Sequence, residues 1–329
     1  MNHKELMQRT IALEATPSTP VAFWRHFPVD DQDFASLARS TIAFQEMFDF
    51  DFIKVSPASS FCIKDWGAND EWKGDPEGTR NYQGAIIQTP EDWVKIEPLN
   101  PTKGFLGAQL ECLKLIKKEI PTNTPIIQTV FSPLAQAKNL AGKKEFLAQI
   151  RQYPDLVKQG LTTITKTTQR FIDECQKIGI DGIFYAVQQA SFDILSEVEF
   201  LDFGKSFDAQ IFEYLQPFWM NVLHIHGSNI MFEKISDYPF QVFNWHDRET
   251  TPSLSEGKKK LNRAVCGGLS RINTMVLGLP KDIEDEFRDA KRQTGNRGLI
   301  LGTGCVCPLT TPLGNFFTTV NLARNKCNG

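Results

Sequence analysis

The sequence predicts an α/β protein of the (β/α)8 TIM-barrel class, a single domain over 1–329. Three observations predict it. Eight short β-branched or aromatic runs alternate with longer helical stretches, as a parallel sheet built from right-handed β-α-β units requires. Several of those runs are apolar without a break, the pattern of strands buried on both faces. The 329 residues also carry no tandem repeat, low-complexity tract or Gly/Ser linker, and that length is ordinary for one such barrel.

The eight runs fall at 21–27 (VAFWRHF), 52–56 (FIKVS), 125–131 (PIIQTVF), 182–187 (GIFYAV), 221–226 (NVLHIH), 242–247 (VFNWHD), 264–269 (AVCGGL) and 298–303 (GLILGT). Between them, 156–178 reads as a helix with apolar Leu156, Leu161, Ile164, Phe171 and Ile172, stopped by Gly179. A short charged helix is expected over 282–292. The tract 257–262 (GKKKLN) reads as the exposed face of another, its lysines solvated. The long stretch 58–102, rich in Gly, Pro and Trp, is expected as an insertion over the barrel mouth after the second strand. Loops at that end build the binding surfaces of such folds.

Composition narrows the class of function. Hydrophobic residues are 41% and charged residues 23%, enough to fill a core and too apolar for a disordered chain. Lys+Arg is 36 against Asp+Glu 39, a net charge of −3. That balance recruits neither phosphate backbones nor anionic lipid, so no nucleic-acid or membrane partner is expected. No segment approaches the ~20 apolar residues of a bilayer crossing. The charged opening MNHKELMQRT lacks the apolar stretch of a signal peptide. Seven cysteines are odd in number and sparse. A reduced, cytoplasmic protein is expected, with clustered cysteines acting as ligands or nucleophiles before disulfides.

Chemistry concentrates in one place. There are only five histidines, and His224, His226 and His246 lie close together in the chain. Residues i and i+2 of a strand share a face, so His224 and His226 project together near the end of the fifth run. In a barrel that end is the mouth, where active sites lie. Two buried imidazoles repel when both are protonated, and a shared metal keeps both neutral. Cys305 and Cys307 end the eighth run in GTGCVCP, where Pro308 turns the chain. Asp247 and Glu249 follow the sixth run. Two imidazoles, the Cys305 thiolate and a carboxylate from Asp247 or Glu249 make a four-coordinate set for Zn²⁺. Cys307 is left buried or spare. Taken singly, an H-x-H pair can instead hydrogen-bond backbone or substrate, and a C-x-C near a turn can be structural.

Other residues point to substrate. Arg25 ends the first run and can grip a carboxylate bidentately. Lys54, Gln128, Tyr185 and Gln188 are polar groups at later strand ends, expected to line a polar cavity because buried polar groups need partners. Gly302-x-Gly304 lacks the third glycine and helix of a dinucleotide site, and no P-loop or nucleophile elbow occurs.

The segments HIHGSN (224–229), NWHDRETTPSLSEGK (244–258) and GLILGTGCVCPLTTPLGN (298–315) resemble the uroporphyrinogen decarboxylase superfamily. So do VAFWRHFP (21–28), DFDFIKVSP (49–57), PIIQTVFSPLAQAKNLAG (125–142) and IGIDGIFYAVQ (178–188). The resemblance is nearest to its cobamide:thiol methyltransferase branch and implies a (β/α)8 barrel. In that branch a His-x-Cys pair and a distant Cys hold zinc, which binds a thiol substrate as thiolate. His224 matches the His and Cys305 the distant Cys. His226 departs, standing where the branch has Cys, and so removes one negative charge from the metal. The decarboxylase branch carries an Arg-rich N-terminal motif where this chain has WRHFP with Arg25 alone, and an Asp at the tip of its second strand where this chain reads FIKVSP.

The leading expectation is therefore methyl transfer between a carrier and a zinc-bound thiol, with any corrinoid brought by a partner protein. A cofactor-free decarboxylase, anchoring a carboxylated cyclic substrate on Arg25 and Lys54, is the first alternative. A non-catalytic small-molecule or metal-binding barrel is the second. The resemblance also suggests a homodimer.

Overall fold

A computed structural model describes residues 1–325, and Cys327 lies outside them. Seven strands form one sheet: β1 (Ile53–Val55), β2 (Ile126–Phe131), β3 (Gly182–Val187), β4 (Val222–Ile225), β5 (Val242–Trp245), β6 (Ala264–Leu269) and β7 (Leu299–Thr303). They lie in chain order and each neighbouring pair is parallel. All seven are buried throughout, which is why they read as near-continuous apolar runs.

The first expected strand, 21–27, is the exception. It contributes one parallel bridge, Val21 to Leu301. Ala22 N–H donates to Leu301 O at 3.0 Å, and Leu301 N–H to Pro20 O at 2.7 Å. On the other side Asp51 N–H donates to Val21 O at 2.9 Å. This segment thus joins the two edges of the sheet without being a regular strand. Its backbone leaves the ladder at Trp24, whose carbonyl accepts from Cys307 N–H at 2.9 Å beyond the end of β7. A Cβ on Gly302 would lie 2.6 Å from the Ala22 carbonyl oxygen, so the close approach of the segment to β7 requires glycine there.

Helices cover the sheet. Pro154–Ile178 begins on proline and ends at Gly179, φ 78°, the stop its sequence predicts. It buries Val157, Leu161, Ile164, Phe171 and Ile172, side chains whose burial stabilises by ~1.5–3 kcal/mol each. Pro280–Gln293 contains the expected charged helix. Leu254–Leu261 carries a Ser253–Glu256 capping box, with Lys258, Lys259 and Lys260 in its last turn, where cations suit the helix dipole. No helix among the described residues is long and apolar enough to cross a membrane.

The stretch 58–102 between β1 and the next helix holds short 3-10 turns and an antiparallel ribbon, Asp70–Glu71 against Asn81–Tyr82. Arg80 pins the ribbon, its Nε 2.9 Å from Asp70 and its Nη1 3.3 Å from Asp31, with all three side chains buried.

Candidate active site and metal centre

The site forms where β4, β5 and β7 end. His224 is in register with Ala186 of β3 and with Asn244 of β5. Register places the Asn244 side chain beside the imidazole, and His224 Nδ1 lies 2.6 Å from Asn244 Oδ1. Asn244 Nδ2 donates to the carbonyls of Cys266 (2.9 Å) and Thr303 (3.0 Å). Both amide hydrogens are thereby used, so Oδ1 accepts and His224 carries its proton on Nδ1. The lone pair on Nε2 then faces Cys305, whose Sγ is 3.6 Å away.

His226 follows two residues later, just beyond β4, with Nδ1 3.7 Å from the same sulfur. Cys305 reaches the pair because Gly304 lets the exit of β7 press on the exit of β5. A Cβ there would lie 2.5 Å from both His246 Cα and Trp245 O. His246 completes the group. One donor atom from each of His224, His226, His246 and Cys305 lies within 4.8 Å of every other. His246 Nδ1 is 3.2 Å from Glu249 Oε2, and its Nε2 is buried with no hydrogen-bond partner.

The electrostatics favour a thiolate. Burial by itself raises the Cys305 thiol, but the His224, His226 and His246 imidazoles outweigh it and hold the group well below its ordinary value. Burial pushes His224 down, toward neutral imidazole. Burial also opposes charge on His246, yet Cys305 and Glu249 together raise it to about 9.

The donor set fits zinc. At Zn–S ≈ 2.3 Å and Zn–N ≈ 2.0–2.1 Å, tetrahedral S and N donors are about 3.5 Å apart. The two sulfur–nitrogen separations, 3.6 and 3.7 Å, match that edge. Nε2 of His246, buried with no hydrogen-bond partner, is a fourth donor to such a metal once its proton leaves.

The carboxylates expected as ligands lie elsewhere. Asp247 points away from the cluster, its oxygens 3.1 and 3.3 Å from the Gly268 N–H, and burial raises its pKa to about 7. Glu249 accepts from His246 and from Arg271 Nε at 3.2 Å, and those partners hold it down to about 2 despite burial. It stands behind His246. The period of the strand explains the difference: Val242, Asn244 and His246 share one parity and Asp247 has the other. Cys307 shares the parity of Cys305, but the strand has ended at Thr303 and the Cys307 N–H is turned to the Trp24 carbonyl at 2.9 Å. It is buried near Thr303 Oγ1 at 3.5 Å, and burial pushes its thiol up to about 12.

A cavity of about 210 Å³ opens onto the cluster, lined by His224, His226 and Cys305 among others. Lys54 and Gln188 line it, as the sequence predicts. Three expected lining residues do not. Gln128 faces outward, accepting from Gln109 Nε2 at 2.8 Å. The Tyr185 hydroxyl donates to Asp208 at 2.5 Å on the helical side. Arg25 lies over the Phe27 ring at 5.9 Å, and its neighbours Trp24 and His26 line the cavity instead. Each of the three is one residue out of phase with an inward neighbour: Thr129, Phe184 or Ala186, and Trp24 or His26.

Lys54 is buried, with Nζ 3.0 Å from Ser56 Oγ and 4.6 Å from the Phe184 ring centre, and desolvation lowers its pKa to about 7. Lys138 also lines the cavity and is lowered by burial. Neither pairs with a carboxylate among the described residues. Arg80 and Tyr82 reach the cavity from the ribbon. Sequence reading passes over Lys138 and Arg80. Both come from segments whose path over the cavity is set by tertiary packing.

The family profile described as Uroporphyrinogen decarboxylase (URO-D) matches residues 3–326. The chain belongs to the uroporphyrinogen decarboxylase family. Within reach of this URO-D family chain are two methanogen enzymes. It is 26% identical over 249 residues to the methylcobamide:CoM methyltransferase MtaA of Methanosarcina barkeri, covering 72% of this chain and 70% of that protein. It is 20% identical over 310 residues to the methylcobamide:CoM methyltransferase MtbA of Methanosarcina acetivorans, covering 92% and 87%. In fold it matches a solved methyltransferase from Methanosarcina mazei with a TM-score of 0.85 at 20% identity, over 99% of both chains. A B12-independent methionine synthase from a Shewanella species is similar at a TM-score of 0.60 and 14% identity, over 94% and 95%.

Proposed function

We propose that this URO-D family chain is a zinc-dependent methyltransferase that moves a methyl group between a corrinoid carrier and a thiol, working as one catalytic unit over its whole length. The observation that carries the reading is the convergence of a buried, low-pKa Cys305 with His224 and His226 on the floor of one cavity. The methylcobamide:CoM methyltransferases among its relatives supply the reaction class.

His224, His226 and Cys305 would hold the metal, and a substrate sulfur would take the remaining position. Bound there, zinc lowers the thiol pKa and keeps the sulfur as a nucleophilic thiolate. The chain's own residues do the rest. Asn244 keeps the donor nitrogen of His224 unprotonated. Trp24 and Phe184 wall the cavity, their rings 5.2 Å apart, and exclude water from the sulfur. Lys54 and Lys138, neither in a salt bridge among the described residues, suit a thiol whose anionic group would hold them protonated. With His226 in place of the thiolate of the relatives' branch the metal would be more electropositive, so a bound thiol would ionise more readily and its thiolate would be a weaker nucleophile. The methyl donor is a methylated corrinoid on a partner protein. The six described cysteines are free, which suits the reducing cytoplasm we assign to it. The decarboxylase alternative keeps only Lys54 of its two carboxylate anchors in the cavity.

Metal analysis of protein purified without added metal tests the first half, with about one zinc per chain expected and His224→Ala and Cys305→Ser each lowering it. Methyl transfer from methylcobalamin to small anionic thiols tests the second. A zinc-loaded protein that alkylates none of them would sink the proposal.

A further inference from the structure

We infer that His246 is the fourth protein donor to the metal in the substrate-free protein, and that Glu249, Arg271 and Glu77 form a chain fixing its aim and tying it to the ribbon that covers the cavity. This rests on the zinc reading above and fills the position a substrate sulfur would later take.

His246 Nε2 is buried, unpartnered and within 4.8 Å of the other three donor atoms. Its other nitrogen is 3.2 Å from Glu249 Oε2. Glu249 Oε1 accepts from Arg271 Nε at 3.2 Å, and Arg271 Nη1 donates to Glu77 Oε1 at 2.8 Å. Glu77 lines the cavity within the loop of the ribbon. Four consecutive side chains therefore run from the cluster to its cover. Arg271 is the hub, and its side chain is only 11% exposed.

His246 differs from its companions in how it is held. His224 is carried by a strand and backed by a neutral amide. His246 follows the last residue of β5 and opens a turn in which Glu249 N–H and Thr250 N–H both donate to its carbonyl at 2.8 Å. The same turn supplies the carboxylate behind its ring. A carboxylate on the far nitrogen fixes the tautomer and raises the basicity of a ligating imidazole. Glu249, Arg271 and Glu77 have no direct access to the metal from these positions; they are positioning residues. Because coupling between two sites is reciprocal, metal at His246 favours the ordered ribbon by the factor by which the ordered ribbon tightens the metal.

X-ray absorption at the zinc edge of the loaded, substrate-free wild-type protein tests the donor set, with three imidazoles and one sulfur expected and two imidazoles in His246→Ala. Chelator competition should show zinc held about 10–100-fold more weakly in His246→Ala and up to about tenfold more weakly in Glu249→Gln and Glu77→Gln. Amide exchange over 70–82 should slow when zinc is added to the wild type, hardly change in Glu77→Gln, and recover in part in Arg271→Lys compared with Arg271→Ala. Two imidazoles in the wild-type spectrum would remove His246 from the metal. Equal slowing in wild type and Glu77→Gln would break the chain. A protein that takes up no zinc at all sinks the zinc reading itself, a result distinct from either.

Discussion

Asn244 decides which nitrogen of His224 faces the sulfur, and it does so with no charge. Both its amide hydrogens are committed to the Cys266 and Thr303 carbonyls, which leaves its oxygen as an acceptor. Asn244→Leu frees the tautomer and should weaken zinc by about 10–100-fold in a chelator competition while His224 itself is intact. Lys54 acts at the same scale. Lys54→Met should raise KM for an anionic thiol at least tenfold and change kcat little, because a remote cation binds ground and transition states alike. Steady-state kinetics with a charged and an uncharged thiol separates the two. His224, His226 and Cys305 are legible from spacing, since i and i+2 share a face and the last strand ends in a cysteine before a proline. His246 is legible by the same parity rule, extended by one strand from Asn244. The acidic residues beside it draw attention away because carboxylates are common zinc ligands. Lys138 and Arg80 give no such signal.

At the scale of elements, parity decides between site and scaffold. The outward Tyr185 ties β3 to the helical layer, sharing Asp208 with Tyr238, whose hydroxyl donates to it at 2.8 Å. Burial raises Asp208 to about 6, although both tyrosines oppose the shift. A carboxyl raised in the folded state favours folding fully below its unfolded pKa of about 4 and loses that contribution as pH rises through about 6. Wild-type stability relative to Asp208→Asn should therefore fall by up to about 3 kcal/mol between pH 4 and 7, measured by denaturant titration at each pH. The contact between two strand ends joins residues distant in sequence and is invisible there. Gly304→Ala forces a Cβ onto His246 Cα and Trp245 O. It should destabilise by about 1–3 kcal/mol and move Cys305 away from the imidazoles, seen as reduced zinc content.

For the whole molecule, the cluster joins β4, β5 and the turn after β7 across the sheet. A ligand that binds only the folded state stabilises it by about 2.7 kcal/mol at a hundred times its Kd. Stripping zinc should thus lower Tm by a few degrees, and Cys305→Ser should abolish the zinc-dependent part of the shift in calorimetry. The cover matters at this scale as well. Arg80→Ala leaves buried Asp31 without an ion partner and Asp70 with Lys64 alone at 3.5 Å, a loss of up to about 3–5 kcal/mol when one partner of a buried pair is removed. Part of that loss should appear as faster proteolysis within 70–82.

Periodicity and spacing alone determined the alternation of strands and helices, the parallel sheet, and the shared face of His224 and His226. These are local properties, because side-chain direction alternates along a strand and apolar runs must be buried. Only the folded chain decided that 21–27 joins the sheet by a single bridge, that the exit of β7 presses on the exit of β5 at Gly304, and that Lys138 and Arg80 both line the cavity. Those outcomes depend on where separate backbones cross, and contacts between distant segments leave no period in the sequence to read.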